Sequence, residues 1–392
     1  MYLNRFQQSD ALKRLPEQFF ANLVQKIQPY YEAGYDMINL GQGNPDQPTP
    51  DHIVKTLQNS AANPVHHKYP PFRGHAFLKK AIADFYKREY DVDLDPEKEV
   101  SVLFGAKAGL VEISQCFLNQ GDIALVPDPG YPDYESGIAY ADAIQHNMPL
   151  KKENDFLPDY ASIPEKTLDQ AKLMFLNYPN NPTAAIATEA FFEETIDLAE
   201  KNDICVVHDF AYGSIGYDGH KPISFLQAKG AKKVGIEMYT LSKTFNMAGW
   251  RIGFALGNEK VIEAINLLQD HYYCGMFGGL QEAAAKALNG PQDCVQDLRA
   301  LYEERRNAFI PKLQENGFEV VSPKGSFFAW IPVPDGFTSE SYSDFLMEEA
   351  HVIVAPGNGF GESGEGFVRV GLLCEKERLI EAAERMINVK RR

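Results

Sequence analysis

The sequence predicts an α/β fold, in which a large domain with a mostly parallel sheet covered by helices on both faces is joined to a smaller α+β domain. Three observations carry this expectation. Apolar runs at 100–104, 123–127, 173–176, 204–207, 238–241 and 252–256 are separated mostly by helical-period or loop segments, the pattern of buried strands alternating with helices. Polar and glycine residues follow nearly every run, where ligands of such sheets bind, at the C-terminal ends of strands. The 392 residues exceed the size at which one core stops growing. The texture also changes near residue 290.

Composition narrows the class. Hydrophobic content of 44% and charged content of 23% are those of an ordinary soluble globular protein. A formal net charge of −16 argues against nucleic acid or anionic membranes as main partners, since both favour basic faces. Cys116, Cys205, Cys274, Cys294 and Cys374 are scattered and never spaced Cys-x-x-Cys, so buried reduced thiols are expected rather than a disulfide framework or a zinc site. The first residues lack an apolar signal core and no run approaches eighteen apolar residues; a cytoplasmic protein is expected.

Taken in order, residues 1–36 mix polar residues with helical-period apolar ones and end in the helix stop Ala33-Gly34-Tyr35-Asp36. Phe19 and Phe20 are expected in the core or an interface. Residues 37–46 read as a short strand opening into a turn, Leu40-Gly41-Gln42-Gly43-Asn44-Pro45-Asp46. His66 and His67 read as a solvated loop, followed by Tyr69 and Gly74. Gly105-Ala106-Lys107 follows the strand at 100–104 and opens a helix, where backbone N–H groups suit a phosphate. The proline-pinned loop Pro127–Tyr134 presents Tyr131. Asn177-Tyr178-Pro179-Asn180-Asn181-Pro182-Thr183 reads as two linked turns. Asp209 ends an apolar strand, with Tyr212 three residues on and His208 on the opposite strand face. Then Thr240-Leu241-Ser242-Lys243 ends another run, and Arg251 stands eight residues beyond the lysine between Gly249 and Gly253. A lysine amine becomes a carbonyl trap when desolvation or cationic neighbours lower its pKa. Beyond 290 the sequence predicts a helix over 294–316, strands at 318–321 and 327–331, a short helix over 340–350, a strand at 367–371 and a closing helix over 375–389. Arg369 lies in that last apolar strand; it would serve either an internal ion pair or bidentate capture of a carboxylate.

The lysine segment resembles the pyridoxal-phosphate lysine motif of class I/II aminotransferases of fold type I, small-x-small-Lys with arginine eight residues on, with Thr240 at the first small position. The resemblance extends in order from about residue 38 to 371, through Leu-Gly-x-Gly-x-Pro-Asp at 40–46, Tyr-x-x-x-x-Gly at 69–74, and Pro-x-Asn-Pro-Thr at 179–183, where the family's following glycine is Ala184. The Asp-x-Ala-Tyr pair follows at 209–212, and then Arg369. It implies a homodimer with shared active sites and a pyridoxal 5'-phosphate cofactor, no metal, and amino-acid and keto-acid substrates. Residues 1–45 are expected to join the small domain, with the large domain at 46–289 and the small C-terminal domain at 290–392. The resemblance makes Lys243, Asp209 and Tyr131 catalytic. It places the cofactor phosphate on the Gly105, Ala106 and Lys107 amides, Thr240, Ser242, Arg251, and Tyr69 of the partner subunit. It assigns the ring to Tyr131, Asn181, Asp209 and Tyr212, and the substrate carboxylate to Gly43, Asn181 and Arg369.

Three rivals follow. A carbon–sulfur β-lyase would use the same cofactor shell. A cofactor-binding transcription regulator would need a basic helix-turn-helix segment, for which the acidic chain has no room. A non-catalytic relative would have lost Lys243. For the substrate, the aromatic stretch Tyr272–Gly278 with Phe19, and no arginine beside them, predicts a fairly apolar side-chain pocket. The N-terminal motifs resemble the subgroup of LL-diaminopimelate and methionine-salvage aminotransferases; the apolar pocket favours methionine and its keto acid, 4-methylthio-2-oxobutanoate. The alternatives are diaminopimelate or a broad aromatic and aliphatic range.

Overall fold

The structure, a computed structural model, describes residues 6–17 and 19–390. Its centre is a seven-stranded sheet in the order β2-β8-β7-β6-β5-β3-β4. The strands are β2 (Val100–Leu103), β3 (Ile123–Asp128), β4 (Ile144–Pro149), β5 (Ala171–Asn177), β6 (Cys205–Asp209), β7 (Gly235–Thr240) and β8 (Gly253–Gly257); β1 (Ile38–Asn39) lies outside this sheet. Every neighbouring pair is parallel except those of β8, which runs antiparallel to both β2 and β7. The carboxyl ends of β2, β3, β5, β6 and β7 therefore meet the amino end of β8 along one edge. Gly105, Asp128, Asn177, Asp209, Lys243 and Arg251 all arrive there from separate parts of the sequence.

Strands β5, β6 and β7 are buried almost throughout because helices cover both faces. One face packs against Leu110, Ile113, Ile138, Ile262 and Ile265, the other against Leu78, Ile82, Phe85, Phe192, Ile196 and Leu288. Strand β4, Ile-Gln-His-Asn-Met-Pro, is the one with no apolar run to announce it. It is an edge strand and largely half-exposed, so its side chains need not be continuously apolar.

The smaller layer holds the antiparallel sheet β11-β12-β9, formed by β9 (Phe328–Pro332), β11 (Ala355–Pro356) and β12 (Phe367–Gly371), beside β10 (Val352–Ile353). Helices Asp293–Gln314 and Lys376–Lys390 pack on it around Phe309, Leu313, Ile331, Val370, Leu379 and Met386. Strand β1 pairs in parallel with β10, and Leu40 enters the same core. On this pairing and the start of the long helix at Asp293 we propose the division 1–45, 46–289 and 290–392; residues 1–5, 18, 391 and 392 lie outside the described residues.

Three expectations need correction. Residues 318–321 form no strand. Phe318 and Val320 are buried while Val321 is exposed, so the stretch alternates like a strand but fills the small core without a ladder partner. His66 is not solvated: it lies in the single turn Pro64–His67, buried, with Nε2 3.0 Å from a Glu282 carboxylate oxygen. The five free cysteines are not deeply buried either; Cys274 is exposed and the others are half-buried.

Candidate active site

At the converging strand ends lies a cavity of about 340 Å³, lined by Lys243, Asp209, Arg251, Arg369, Tyr131, Asn181, Tyr212, Thr240 and Ser242 among others. Lys243 stands in the short helix Leu241–Thr244 that follows β7, capped where Thr240 Oγ1 accepts from the Ser242 backbone N–H at 3.2 Å. Its Nζ donates to the Gly43 carbonyl at 2.9 Å and lies 5.6 Å from the Phe327 ring centre. Burial, then the charges of Arg369 and Arg251, bring the amine's pKa down to about 8, against the opposing pull of Asp209. A lysine so placed is a nucleophile near neutrality. In cofactor-free protein, acetylation of Lys243 is therefore expected to rise with a midpoint near pH 8, while ordinary surface lysines follow midpoints near about 10.4. Peptide mass spectrometry across a pH series measures this; a Lys243 midpoint above 10 would refute it.

Asp209, at the end of β6, has its two oxygens in different states. Oδ2 accepts from Tyr134 Oη at 3.0 Å, whereas Oδ1 is buried with no partner. Burial pushes its carboxyl up to about 6, with the Tyr134 hydrogen bond the first of the opposing effects. Tyr134 is itself fixed, stacked on Phe175 at 5.0 Å and edge-on to Tyr131 at 5.7 Å. A buried acceptor without a donor is costly and marks a place for a ligand N–H.

The neighbouring loop is held by asparagines. Asn177 Nδ2 donates to the Asp209 carbonyl at 2.7 Å and its Oδ1 accepts from the Asn181 N–H at 2.7 Å. Asn180 Oδ1 accepts from both the N–H and the hydroxyl of Thr183. Ala184 occupies the family's glycine position at φ 61°, so the turn survives without glycine. Behind the loop, His208 accepts from the Tyr178 N–H at 3.2 Å and pairs with buried Glu237 at 2.8 Å.

Arg369 is 1% exposed on β12. Its NH1 donates to Asn181 Oδ1 at 2.9 Å and its NH2 to the Gly41 carbonyl at 2.8 Å, while Nε has no partner. The guanidinium lies 4.1 Å from the Phe328 ring centre, 4.6 Å from that of Phe360 and 5.3 Å from that of Phe20. Among the described residues no carboxylate neutralises it, and burial lowers its pKa to about 10. A buried, uncompensated guanidinium of fixed orientation is suited to an incoming carboxylate.

On the other side, Gly105 (φ 89°) precedes the helix Ala106–Phe117 with no side-chain cap. A Cβ at Gly105 would come within 2.5 Å of Arg251 NH2. The helix amides, the arginine and the linked Thr240 and Ser242 hydroxyls, 2.9 Å apart, form an anion cup. Lys107 lines the cavity but is paired with Asp133 at 2.8 Å.

Tyr69 does not line this chain's cavity; it is 86% exposed. The 272–278 stretch does not line it either, and Phe19 packs on Phe20 and Phe360 instead, with Phe20 facing the cavity. Four cavity-lining or supporting residues carried no role in the sequence. Asn44 and Phe20 sit beside recognised motifs; Tyr134 lies three residues after Tyr131, at the start of the helix Tyr134–Tyr140. Phe328 had no local signal, because β9 reaches Arg369 only through the β12 pairing.

A desolvated lysine, a buried acid with a free oxygen, an anion cup and a caged arginine at one sheet edge define an enzyme of amino-acid chemistry that works through a bound carbonyl cofactor. The chain belongs to the aminotransferases of class I and II, whose family model matches residues 35–386; it is a pyridoxal-phosphate-dependent aminotransferase, exchanging amino groups between amino and keto acids. It is 63% identical over 382 residues to the L-glutamine--4-(methylsulfanyl)-2-oxobutanoate aminotransferase of Bacillus subtilis (strain 168), covering 97% of this chain and 96% of that one. To the LL-diaminopimelate aminotransferase of Moorella thermoacetica it is 45% identical, covering 98% of each. The substrate-bound structure of BacF from Bacillus subtilis superposes with a TM-score of 0.93 at 50% identity, over 98% of both chains. The fold is thus that of the fold-type-I enzymes. The residues fit the cofactor on this structure's own terms: the partnerless Asp209 Oδ1 could accept a ring N–H, and the bare Gly105 turn with Arg251 leaves room and charge for a phosphate.

Proposed function

We propose that this enzyme transfers amino groups to and from amino acids with neutral, unbranched side chains, methionine and glutamine foremost, as a cytoplasmic homodimer. The observation that carries the substrate class is the charge inventory of the cavity. Its cations are Lys243, Arg251, Arg369 and Lys107, the last already paired with Asp133, and its one carboxylate among the described lining residues, Asp209, is buried. With Arg251 reserved for the phosphate, Arg369 for the α-carboxylate and Lys243 for the cofactor carbonyl, no further unpaired charge among the described lining residues is left for a second ammonium or carboxylate. The glutamine and methylthio keto acid named for the 63% identical relative meet that requirement; diaminopimelate, named for the 45% identical one, does not.

Bound here, pyridoxal phosphate would supply an electron sink for the charge left at the α-carbon on proton removal. Arg369 holds the substrate α-carboxylate through its free Nε–H, with Asn181 and the Gly43 backbone alongside. Lys243 Nζ, neutral in part near pH 8, takes the α-proton and later releases it. Asp209 Oδ1 would keep the ring nitrogen protonated, Tyr131 would cover the ring face, and the Asn181 amide and Tyr212 hydroxyl would serve the ring oxygen. Thr240, Ser242, Arg251 and the Gly105–Lys107 amides would hold the phosphate.

The dimer reading is supported by Val65, Tyr69 and Phe72, large apolar or aromatic side chains exposed on one short stretch of chain, which a second copy would cover. Tyr69 would then reach the partner's phosphate cup. Among the described residues no helix is long and apolar enough to cross a membrane.

Kinetics with methionine, glutamine, phenylalanine and LL-diaminopimelate tests the substrate class. Expected is a kcat/KM at least about 10-fold higher for methionine and glutamine than for diaminopimelate, as one unmatched buried charge demands. A preference for diaminopimelate, or release of pyruvate and thiol from cysteine conjugates in place of keto-acid-dependent transfer, would overturn it.

A further inference from the structure

His208 is wholly buried on the sheet face opposite to Asp209, and the strand register sets it beside Leu176 of β5 and Glu237 of β7. Apolar rings surround it, with Phe192 at 5.1 Å and Phe210 at 5.2 Å. Glu237 is equally buried and accepts four hydrogen bonds: from the Tyr86 hydroxyl at 2.8 Å, the Ser224 hydroxyl at 2.7 Å, the Phe225 N–H at 2.8 Å and His208 Nδ1 at 2.8 Å. Three donors other than the histidine therefore fix the acid, and the fixed acid orients the ring. A buried polar pair of this kind adds little stability over well-packed apolar side chains. Folding alone does not account for it.

The other ring nitrogen reaches beyond the strand end. Nε2 lies 3.2 Å from the backbone nitrogen of Tyr178. A backbone N–H only donates, so Nε2 is the acceptor and the ring's one proton sits on Nδ1, given to Glu237. Tyr178 opens the loop that carries Asn181. Pro179 and Pro182 have no N–H, so the stretch 178–182 has three backbone donors. Asn180 uses the Ala185 carbonyl at 2.8 Å, Asn181 uses Asn177 Oδ1 at 2.7 Å, and Tyr178 uses His208. The first two bonds close within residues 177–185; the third alone joins one of these donors to another strand. Across the loop, Asn181 Oδ1 accepts from Arg369 NH1 at 2.9 Å. The run from Glu237 through His208 to the Tyr178 N–H thus sets where Asn181 meets the arginine.

We propose that His208, oriented by Glu237, is a positioning residue for the substrate carboxylate: its Nε2 lone pair fixes the 178–182 loop and, through Asn181, the aim of the Arg369 guanidinium. This rests on the reading of Arg369 as the carboxylate anchor and places a support for that anchor on the far face of the sheet.

Two variants split the ring's two bonds. Asparagine at 208 keeps a donor near the place of Nδ1 and has nothing at Nε2; glutamine carries an acceptor out to Nε2 and leaves Glu237 one donor short. Amide exchange at Tyr178, resolved by fragmentation mass spectrometry in the cofactor-free protein, is expected to quicken about 10-fold in His208→Asn and less than about 3-fold in His208→Gln, the scale of one hydrogen bond. In the holoenzyme, KM for methionine or glutamine, whichever wild type uses better, is expected to rise about 10-fold in His208→Asn with kcat within about 3-fold. In His208→Gln it is expected to stay within about 3-fold of wild type. A histidine that served packing alone would instead make both readouts follow the urea midpoints of the two variants. If either variant fails to fold, the same comparison is made on a Glu237→Gln background, where the buried acid is neutral. Agreement between the two variants within twofold, in exchange or in KM, overturns the proposal. Arg369→Gln is measured beside them: if it raises KM less than about 3-fold, the anchor reading itself fails and the proposal falls with it, whatever the exchange at Tyr178 shows.

Discussion

Replacing Lys243 with alanine is expected to lower kcat by about 10⁴-fold or more while leaving the chain folded. The magnitude follows from what the amine does. As a positioned acid and base it alone accounts for about 10²–10⁴, and the covalent attachment of the cofactor is lost with it. The fold does not depend on the side chain. The turn that carries it is held from both sides, by the Thr240 cap and by Thr244 Oγ1, which sits 2.7 Å from the buried Tyr239 hydroxyl. The variant also removes a cation that burial disfavours and frees the Gly43 carbonyl for water. Borohydride treatment followed by dialysis checks the assignment without relying on turnover: wild type keeps the cofactor chromophore bound to the Lys243 peptide, and the variant releases it. Activity within 100-fold of wild type, or a labelled peptide elsewhere in the chain, would remove Lys243 from its role.

Much of this site was legible before any coordinates because its parts are tied to strand ends. Apolar runs mark β2, β3, β5, β6, β7 and β8, and a parallel sheet collects whatever polar residues follow them. Asp209 and Lys243 are read in that way, and Arg251 from its spacing of eight residues to the lysine. Arg369 is legible for a different reason, a charged residue in an otherwise apolar strand. What stayed hidden depends on pairings between distant segments. The antiparallel entry of β8 carries Arg251 to the same edge as Lys243, which hydrophobic periodicity does not encode. Edge strand β4 lacks the apolar run because one side of it meets water. Phe318 and Val320 look like strand residues since the stretch alternates inward and outward, yet it forms no ladder with any strand. The side-chain pocket was sought in Phe19 and the 272–278 aromatics, whereas the cavity takes Phe20, the next residue on the same helix, and Asn44 from the turn after β1. A helix turns by about 100° per residue, so adjacent phenylalanines cannot both face one cavity, and composition does not say which one does.

Asp209 offers the second large effect, and it separates catalysis from stability in one variant. Asp209→Asn is expected to reduce kcat about 10³-fold, the scale of removing one partner from a buried charge pair, because the amide cannot hold a proton on the ring nitrogen. Its effect on the cofactor-free protein runs the other way. The carboxyl's ordinary value of 3.8 is raised to about 6 in the folded chain, chiefly by burial. Between those values the folded state binds more protons than the unfolded one, so stability falls as pH rises from 4 to 6. The total is about 3 kcal/mol, at 1.36 kcal/mol per unit. Above pH 6 the penalty is fully present; below pH 4 it is absent. Asparagine does not titrate, so the difference in unfolding free energy between wild type and Asp209→Asn should shift by about 3 kcal/mol across that window in the variant's favour. Urea unfolding of both cofactor-free proteins at pH 4, 5, 6 and 7 measures it. Parallel curves across that range would show that Asp209 is not strained when alone. The buried carboxylate would then be satisfied by the Tyr134 hydrogen bond, and the partnerless Oδ1 would no longer mark the place of a ring nitrogen. A diverging pair of curves that closes again when pyridoxal phosphate is added would tie the instability of this acid to the ligand that relieves it.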